Sequence, residues 1–165
     1  MKISVVIPNF GHKAYLPLAI QSILNQTYQD FEIIILNDDV CSLINFEQID
    51  NRIKVYDRVC GKRKTSEERL NLIVDELCDI WCYQDADGTS YPKRLELSLE
   101  YMQVSDSDII TTDGIYQFAQ FLKIFPKYKT IDSQYGVGGM SSVFARKEIL
   151  QVVPFTKYGY GSAGS

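Results

Sequence analysis

The chain has 165 residues, of which 45% are hydrophobic and 23% charged, a composition that is typical of a globular protein and excludes a disordered or collagen-like chain. Seventeen basic residues against 21 acidic ones give a formal charge of −4, so we expect no general attraction to nucleic acid or to an anionic membrane surface. The apolar runs fall far below the ~20 residues that a transmembrane helix needs, and the first residues lack the apolar stretch of a signal peptide. We therefore expect a single domain in the cytoplasm.

Strand patterns and helix patterns alternate along the chain. Short apolar, β-branched runs predict strands, and apolar residues at three- and four-residue spacing predict helices. In chain order the predicted elements are a strand at 2–7, a helix at 13–26, strands at 31–36 and 52–56, a helix at 66–77, a strand at 80–84, a helix at 92–102, a strand at 108–112, an extended aromatic-rich hairpin at 115–125, a strand at 141–145 and a helix at 146–153. This order predicts an α/β fold with a mostly parallel sheet, helices on both faces and an antiparallel hairpin.

Three segments rich in polar residues directly follow predicted strands, at 8–10, 37–39 and 85–87. In parallel sheets, ligands bind beyond the carboxyl ends of the strands, where such segments meet. A group of carboxylates at that edge repels itself unless cations, hydrogen-bond donors or ligand hydroxyls compensate its charge. The carboxylates that we expect to converge there are those of Asp38, Asp39, Asp85 and Asp87.

The sharpest of these segments is Asp85-Ala86-Asp87, which places two carboxylates one residue apart at a strand end. Oxygen ligands suit Mn²⁺ or Mg²⁺, and Mg²⁺ is usually held by one or two carboxylates together with substrate phosphates. Followed by Gly88, the same segment is also typical of an ordinary Asp-Gly turn. The residues alone leave both interpretations open.

Other segments also have both a ligand-binding and a purely structural interpretation. An ionised Asp38 could accept hydrogen bonds from a nucleobase or a ribose, although Asn and Asp also end strands and cap helices. The basic stretch Lys62, Arg63, Lys64 and Arg69 could clamp a phosphate through charge-assisted hydrogen bonds, or lie on a solvated surface loop. Aromatic residues between positions 116 and 135 could stack on a sugar, although core positions suit most of them better.

The four cysteines, Cys41, Cys60, Cys78 and Cys82, form no C-x-x-C pair, and the single histidine, His12, is remote from all of them in sequence. This spacing argues against a zinc site and favours free thiols, buried or half-buried, in a reducing compartment. A lone histidine also argues against a Ser-His or Cys-His catalytic pair. Acid–base chemistry would therefore fall to carboxylates.

Taken together, several segments resemble the family 2 glycosyltransferases. The resemblance covers 3–10 (ISVVIPNF), 15–38 and 85–95 (DADGTSYPKRL), the last of which is similar to the metal motif of the family and the helix after it. The segment 139–150 is similar to the acceptor-side segment. The resemblance implies the GT-A fold, a Rossmann-like α/β/α sandwich. It also implies an inverting, hexosyltransferase-type reaction on a nucleotide-diphospho-sugar, most often UDP-linked, with Mn²⁺ or Mg²⁺ as cofactor.

The resemblance also implies roles for individual residues. Asp87 would be the direct metal ligand, and Asp85 would face the ribose or the metal shell. Asp38 would contact the base and the ribose, and Lys64 or Arg69 would lie near the basic donor-binding position. The implied nucleotide-sugar-binding set is Pro8, Asn9, Phe10, Asp38, Lys64, Arg69, Asp85, Ala86 and Asp87, with Asp85 and Asp87 as metal ligands.

The sequence departs from the family pattern at several positions. Asp39-Val40 stands where Gly-Ser is usual, Gly88 replaces a frequent third Asp, and Met140 stands where many members have His. These departures concern the loop after the second strand, the metal motif and the acceptor-side segment. The departure at Met140 leaves open which residues contact the acceptor.

An inverting transfer needs a general base that deprotonates the acceptor hydroxyl. The family supplies this base slightly after the acceptor-side segment, so we expect it beyond Ser165, with Asp113 as the candidate inside the chain. On this interpretation one domain covers 1–165, with a nucleotide-sugar half at 1–105 and an acceptor half at 106–165 that is truncated at its carboxyl end.

The predicted function is metal-dependent transfer of a sugar from a nucleotide-diphospho-sugar to the hydroxyl of a glycan, lipid-linked or protein acceptor. The alternative is a non-catalytic nucleotide-sugar-binding module or scaffold domain that lacks the general base. A nucleotidyltransferase on a related sheet is disfavoured, because the chain lacks a Gly-rich phosphate loop after the first strand.

Overall fold

The computed structural model describes residues 1–39, 46–57, 71, 73–112, 115–118, 121–124 and 143–152. Its strands are β1 (Ile3–Asn9), β2 (Phe31–Asn37), β3 (Ile53–Asp57), β4 (Ile80–Tyr83), β5 (Ile109–Thr111), β6 (Ile115–Phe118), β7 (Phe121–Ile124) and β8 (Val143–Arg146). Six of them form one sheet in the order β3-β2-β1-β4-β8-β5. The first four are parallel, whereas β8 lies antiparallel between β4 and β5. The hairpin predicted at 115–125 is confirmed by the antiparallel pair β6–β7.

Within the described residues, the helices with both ends given are α1 (Leu16–Leu24), α2 (Arg94–Ser105) and α3 (Glu148–Val152). Short 3-10 turns cover Phe46–Gln48 and Val74–Glu76. Over the described segments, no helix combines the length and the apolar character that crossing a membrane requires. The predicted α/β class with a mostly parallel sheet is confirmed.

Burial explains why β1 and β2 form the centre of the sheet. All seven positions of each strand are buried, as expected for parallel strands that are covered on both faces. The core on one face includes Ile3, Val5, Ile7, Ile33 and Ile35 together with Leu16, Ile20 and Ile23 of α1 and Leu95, Leu99 and Met102 of α2. The core on the other face includes Val6, Ile34, Leu36, Ile73, Leu77, Trp81, Tyr83 and Ala145. Each large side chain buried in these layers contributes about 1.5–3 kcal/mol of transfer free energy.

Only the end of the helix predicted at 66–77 can be compared: Asn71 is helical, whereas the residues before β4 are not. Residues 58–70 and 72 lie outside the described residues, and the segment ends in the 3-10 turn Val74–Glu76 instead of a continued α-helix. Leu77 is already extended, with ψ at 144°, because β4 starts at Ile80 and the chain has to enter the sheet. Ile73 and Leu77 are nevertheless buried, as their apolar spacing predicted.

A buried glutamine joins the end of α1 to the start of α2. The side chain of Gln26 donates to the Tyr91 carbonyl at 2.7 Å and accepts from the Leu95 backbone N–H at 3.0 Å. The Thr27 backbone N–H donates to the Pro92 carbonyl at 2.8 Å. The bond to Gln26 satisfies the Leu95 N–H, a donor in the first turn of α2. The helix begins at Arg94 and not at the predicted Pro92. These bonds also fix the position of the loop that follows β4.

Candidate functional site

A row of polar side chains crosses the carboxyl ends of three neighbouring strands. Asn9, Asn37 and Asp57 are register partners on β1, β2 and β3. Asn9 Nδ2 donates to Asn37 Oδ1 at 2.9 Å, and Asn37 Nδ2 donates to Asp57 Oδ1 at 2.8 Å. Asn9 and Asn37 are fully buried, and these hydrogen bonds offset part of the cost of desolvating the amides, although Asn9 Oδ1 is buried without a hydrogen-bond partner among the described residues. This row fixes the edge of the sheet from which the candidate site is built.

The carboxylate of Asp39 holds the turn that follows β1. Both of its oxygens accept from the Gly11 backbone N–H at 3.0 Å, and Oδ2 also accepts from Asn9 Nδ2 at 3.2 Å. Gly11 has φ at +77°, a left-handed conformation that glycine adopts at little cost. Asp39, which stands where the family usually has glycine, therefore fixes the path of the chain between β1 and α1.

The loop after β4 is held by a second network, which sequence reasoning missed. Gln84 is buried, and its Oε1 accepts from Ser90 Oγ at 2.6 Å and from Arg94 Nη1 at 3.1 Å. Its Nε2 donates to the Asp85 carbonyl at 3.0 Å. The sequence feature that could have indicated this network is Gln84, a polar residue directly after the apolar strand β4, with Arg94 ten positions later. This network holds the backbone of the Asp85 turn.

Gly88 closes that turn by donating its backbone N–H to the Asp85 carbonyl at 3.1 Å. A Cβ at position 88 would lie 3.2 Å from Gln84 Nε2, which is tighter than an ordinary contact. Gln84 has little freedom to move away, because Ser90 and Arg94 hold its other end. The absence of a third aspartate at this position therefore agrees with the packing of the turn.

The single histidine of the chain lies beside the Asp85-Ala86-Asp87 turn. His12 Nδ1 is 3.7 Å from Asp87 Oδ2, and the two side chains are 42% and 53% exposed. His12 received no predicted role, because it is remote in sequence from the four cysteines and is the only histidine. The signal that could have found it is topological, since His12 follows β1, Asp87 follows β4, and these strands are parallel neighbours.

The structure places the other predicted site residues at different depths. Pro8 and Asn9 are buried in β1, Phe10 is half-buried, and Asp38 is fully buried, with its backbone N–H donating to the Asn9 carbonyl at 2.9 Å. Ala86 is buried, Asp85 is half-buried and Asp87 is exposed. The contacts described connect Asp39 to the Gly11 turn, and the next residue of that turn to Asp87. Lys64, Arg69 and Asp113 lie outside the described residues, as do the basic stretch and the aromatic side chains between 116 and 135.

The donor set around Asp87 fits a divalent cation. An exposed carboxylate oxygen is a ligand that Mn²⁺ and Mg²⁺ accept, and imidazole nitrogen is a common ligand of transition metals. Across the described part of the chain, His, Cys, Asp and Glu side chains nowhere gather in a group of three suited to a metal ion. A cation at Asp87 would therefore need oxygen ligands from substrate phosphates or water, which is how Mg²⁺ is usually bound.

The two cysteines in the described segments, Cys78 and Cys82, are free thiols, as predicted, whereas Cys41 and Cys60 lie outside those segments. Burial raises the pKa of the fully buried Cys82 to about 11. Burial also raises the pKa of Cys78, which lies 3.5 Å from a Glu32 oxygen. Both thiols are therefore protonated near neutral pH and are poor nucleophiles.

The amino ends of the strands carry a different group of charges. Glu32 is buried and accepts from Lys2 Nζ at 2.9 Å and Ser4 Oγ at 2.9 Å, with Lys54 Nζ at 3.2 Å. Burial raises the pKa of Glu32, but the hydrogen bonds from these three side chains outweigh it, so the pKa is lowered overall. An open cavity of ≈ 330 Å³ lies at this edge, lined in part by Lys2, Arg52 and Lys54. These cations already pair with Glu32 and Asp50, so the cavity is a poor receptor for a phosphate.

Comparison with known proteins identifies the family. The sequence model described as Glycosyl transferase family 2 matches residues 4–156. The O-antigen biosynthesis glycosyltransferase WbnJ of Escherichia coli is 35% identical over 117 residues, which cover 67% of this chain and 45% of WbnJ. Glycosyltransferase GlyA of Streptococcus pneumoniae is 23% identical over 86% of this chain and 23% of its own length. The chain thus spans less than half the length of these relatives.

Solved structures share the fold. S. aureus TarS 1–349 in complex with UDP-GlcNAc superposes with a TM-score of 0.71 at 17% identity, covering 92% of this chain and 47% of that one. The mannosyltransferase PcManGT from Pyrobaculum calidifontis, in complex with GDP-Man and Mn²⁺, gives a TM-score of 0.55 at 11% identity, covering 66% of this chain and 34% of that one. The predicted GT-A fold is confirmed, and the chain belongs to glycosyl transferase family 2.

Proposed function

We propose that this chain binds a nucleotide-diphospho-sugar at the carboxyl edge of its sheet and takes part in metal-dependent transfer of the sugar to an acceptor hydroxyl. The observation that carries the proposal is the exposed Asp87 carboxylate beside His12, at the edge where parallel α/β sheets bind ligands. Membership of family 2 supports glycosyl transfer as the reaction. UDP is the proposed nucleotide, and the TarS complex with UDP-GlcNAc supports it by fold alone.

The proposed roles come from the family resemblance, combined with the burial of the side chains that the structure describes. Asp87, assisted by Asp85, would hold Mn²⁺ or Mg²⁺, and the Mn²⁺ in the PcManGT complex supports a divalent ion. Such an ion neutralises the charge that develops on a departing diphosphate. Asp38 would shape the pocket for base and ribose together with Pro8, Asn9 and Phe10. Because Asp38 and Asn9 are fully buried, we expect them to act through pocket shape.

Further donor contacts are proposed for Lys64 and Arg69, which would pair with the diphosphate, and for Ala86 in the metal motif. The reaction would invert the anomeric carbon, with the acceptor hydroxyl attacking opposite the diphosphate. Its general base is proposed to lie outside the described residues, with Asp113 as the candidate within this chain. The hexosyl substrate, the glycan, lipid-linked or protein acceptor and the cytoplasmic location remain predictions.

The experiment that tests the proposal is a thermal-shift measurement on the full chain with UDP, with and without Mn²⁺. At a ligand concentration 100 times Kd, binding stabilises the native state by about 2.7 kcal/mol. For a domain of this size we expect Tm to rise by about 5–10 °C when both ligands are present. An unchanged Tm under all these conditions would contradict the proposal.

A second measurement separates enzyme from binding module. UDP release from UDP-sugars would be followed with and without candidate acceptors, using the protein that responds in the thermal-shift experiment. Turnover supports the transferase. Metal-dependent UDP binding without any turnover supports the alternative, a nucleotide-sugar-binding module.

A further inference from the structure

The contact between His12 and Asp87 joins two loops that are far apart along the chain. It spans the gap between the turn after β1 and the turn after β4. Both side chains are about half exposed, so the pair faces solvent at the edge of the sheet. Even a fully charged pair of side chains this exposed contributes little to stability, about 0–1 kcal/mol. A gain in stability therefore does not explain why these two groups lie together. Joint binding of a ligand does explain it.

The backbone around His12 is held from both sides. On one side, Asp39 accepts two hydrogen bonds from the Gly11 N–H. On the other side, the His12 carbonyl accepts from the backbone N–H groups of Tyr15 and Leu16 at 2.9 and 3.1 Å, at the start of α1. The imidazole therefore projects from a turn whose direction is set by the fold. A preorganised turn of this kind lowers the entropic cost of presenting a ligand atom to an ion.

The separation of the two ligand atoms is compatible with a shared ion. Nitrogen and oxygen ligands bind metal ions such as Zn²⁺ at about 2.0–2.2 Å. Two such atoms on one ion therefore lie no more than about 4.4 Å apart. His12 Nδ1 and Asp87 Oδ2 are 3.7 Å apart, within that limit.

We propose that His12 is a further protein ligand, and the only nitrogen ligand among the described residues, of the divalent cation at Asp87, and that Asp39 positions it by holding the Gly11 turn. This inference rests on the proposed function, because the donor diphosphate would supply the oxygen ligands that the described residues do not. It adds a nitrogen ligand to a site otherwise built from oxygen. The consequence is a specific metal preference, since oxygen ligands suit Mg²⁺, whereas imidazole favours later transition metals such as Co²⁺ and Ni²⁺.

The test measures metal affinity and not activity. Dissociation constants for Co²⁺ and Mg²⁺ would be determined by titration calorimetry in the presence of UDP, for the wild type, His12→Ala and Lys13→Ala. Lys13 is the exposed neighbour in the same turn and serves as the matched control. We expect His12→Ala to weaken Co²⁺ binding at least tenfold, the size seen even for second-sphere partners, and Mg²⁺ binding much less. The visible absorption of bound Co²⁺ should also change, whereas Lys13→Ala should alter neither quantity.

An equal loss of Co²⁺ and Mg²⁺ affinity in His12→Ala would overturn the inference, because it would mean that the imidazole acts only on the position of Asp87. Unchanged affinity for both ions would also overturn it and leave the contact as a simple surface pair. Failure of the wild type to bind UDP with any metal is a different outcome, since it contradicts the proposed function itself.

The role of Asp39 is tested by a double-mutant cycle. Asp39→Ala should lower the Co²⁺/Mg²⁺ affinity ratio in the wild-type background, because the Gly11 turn loses its acceptor. In the His12→Ala background the same change should leave the ratio unaltered. An equal effect in both backgrounds would show that Asp39 does not act through His12, and would overturn that part of the inference.

Discussion

At the amino ends of the strands, the Glu32 carboxylate is buried and accepts from two lysines and a serine. At the carboxyl ends, the Asp87 carboxylate is 53% exposed and lies 3.7 Å from one imidazole. Glu32 lies in β2 and Asp87 follows β4 of the same sheet, yet the charge of Glu32 is compensated within the protein and Asp87 is open to solvent. A cluster of charged side chains therefore indicates a ligand site only where neighbouring residues leave those charges uncompensated and accessible to solvent.

The cavity at the amino edge has basic side chains whose charges are already compensated. It is lined by Lys2, Arg52 and Lys54, which would suit an anion if they were free. Lys2 and Lys54 pair with Glu32, and Arg52 pairs with Asp50 at 2.8 Å while its guanidinium lies 4.4 Å above the Phe31 ring. These charges hold the strand ends together. Mutations at the two edges should therefore separate stability from ligand binding.

The largest expected effect comes from Asp87→Ala. It should remove the whole Mn²⁺-dependent Tm increase caused by UDP, about 5–10 °C at saturating ligand. The Tm without ligand should change little, because the carboxylate is exposed and its pair with His12 is a surface pair. Differential scanning fluorimetry of both proteins with UDP and Mn²⁺ measures this. A retained response in Asp87→Ala would remove this residue from the proposed site.

Glu32→Gln should have the opposite signature. The substitution places an amide where two ammonium groups donate, and we expect a loss of about 2 kcal/mol, the scale of a hydrogen bond to a charged group. The cost stays moderate because Lys2 and Lys54 are half exposed and can return to water. Chemical denaturation measures the free energy of unfolding. A UDP response that disappears together with stability would contradict the separation of the two edges.

Asp50→Asn should change how stability depends on pH. Hydrogen bonds from the Arg52 side chain and backbone lower the pKa of Asp50 from its ordinary 3.8 to about 2. The carboxylate therefore stabilises the folded state above the unfolded-state pKa, and this contribution is lost as pH falls from about 5 to about 2. The variant should have a lower Tm at pH 7 and a shallower decline of Tm over that interval. An unchanged slope between pH 5 and 2 would contradict the assignment.

Asp108→Ala should have the smallest effect. Asp108 pairs with Arg146 at 3.3 Å, but its side chain is 64% exposed, so the pair should contribute about 0.5 kcal/mol or less. It is the matched control for Asp87→Ala, since both substitutions remove an exposed aspartate. The unfolding free energy and the UDP response should both match the wild type. A reduced UDP response here would show that loss of charge alone, and not the site, explains the effect of Asp87→Ala.

Much of the fold follows from the sequence pattern. The apolar runs of β1 and β2 predicted buried parallel strands, because strands covered on both faces are mostly apolar. The polar exceptions pair with one another, as Ser4 does with Glu32 and Asn9 with Asn37. Polar residues directly after those strands predicted where the candidate site would lie. The helix predicted through Leu77 ends instead in a 3-10 turn, because the chain must be extended in time to enter β4. Apolar spacing reports which residues are buried, but not which backbone conformation buries them.

The contacts within the candidate site could not be predicted from the sequence pattern. The bonds from Asp39 to Gly11 and the contact of His12 with Asp87 depend on which loops become neighbours once the strands pair. Gln84 is similar, since its partners Ser90 and Arg94 reach it only when the loop after β4 folds back. Local periodicity carries no information on such pairs. The order of the strands does carry this information, because it determines which loops lie side by side at one edge of the sheet.

In the proposed function, the carboxyl edge of the sheet binds a nucleotide diphosphate through a metal ion at Asp87. The most direct test of this proposal is titration calorimetry of UDP into the wild-type chain with Mn²⁺, repeated with EDTA and with Asp87→Ala. We predict saturable binding with Mn²⁺ that is lost in both other experiments. UDP binding of equal strength in all three, or in none of them, would contradict the account.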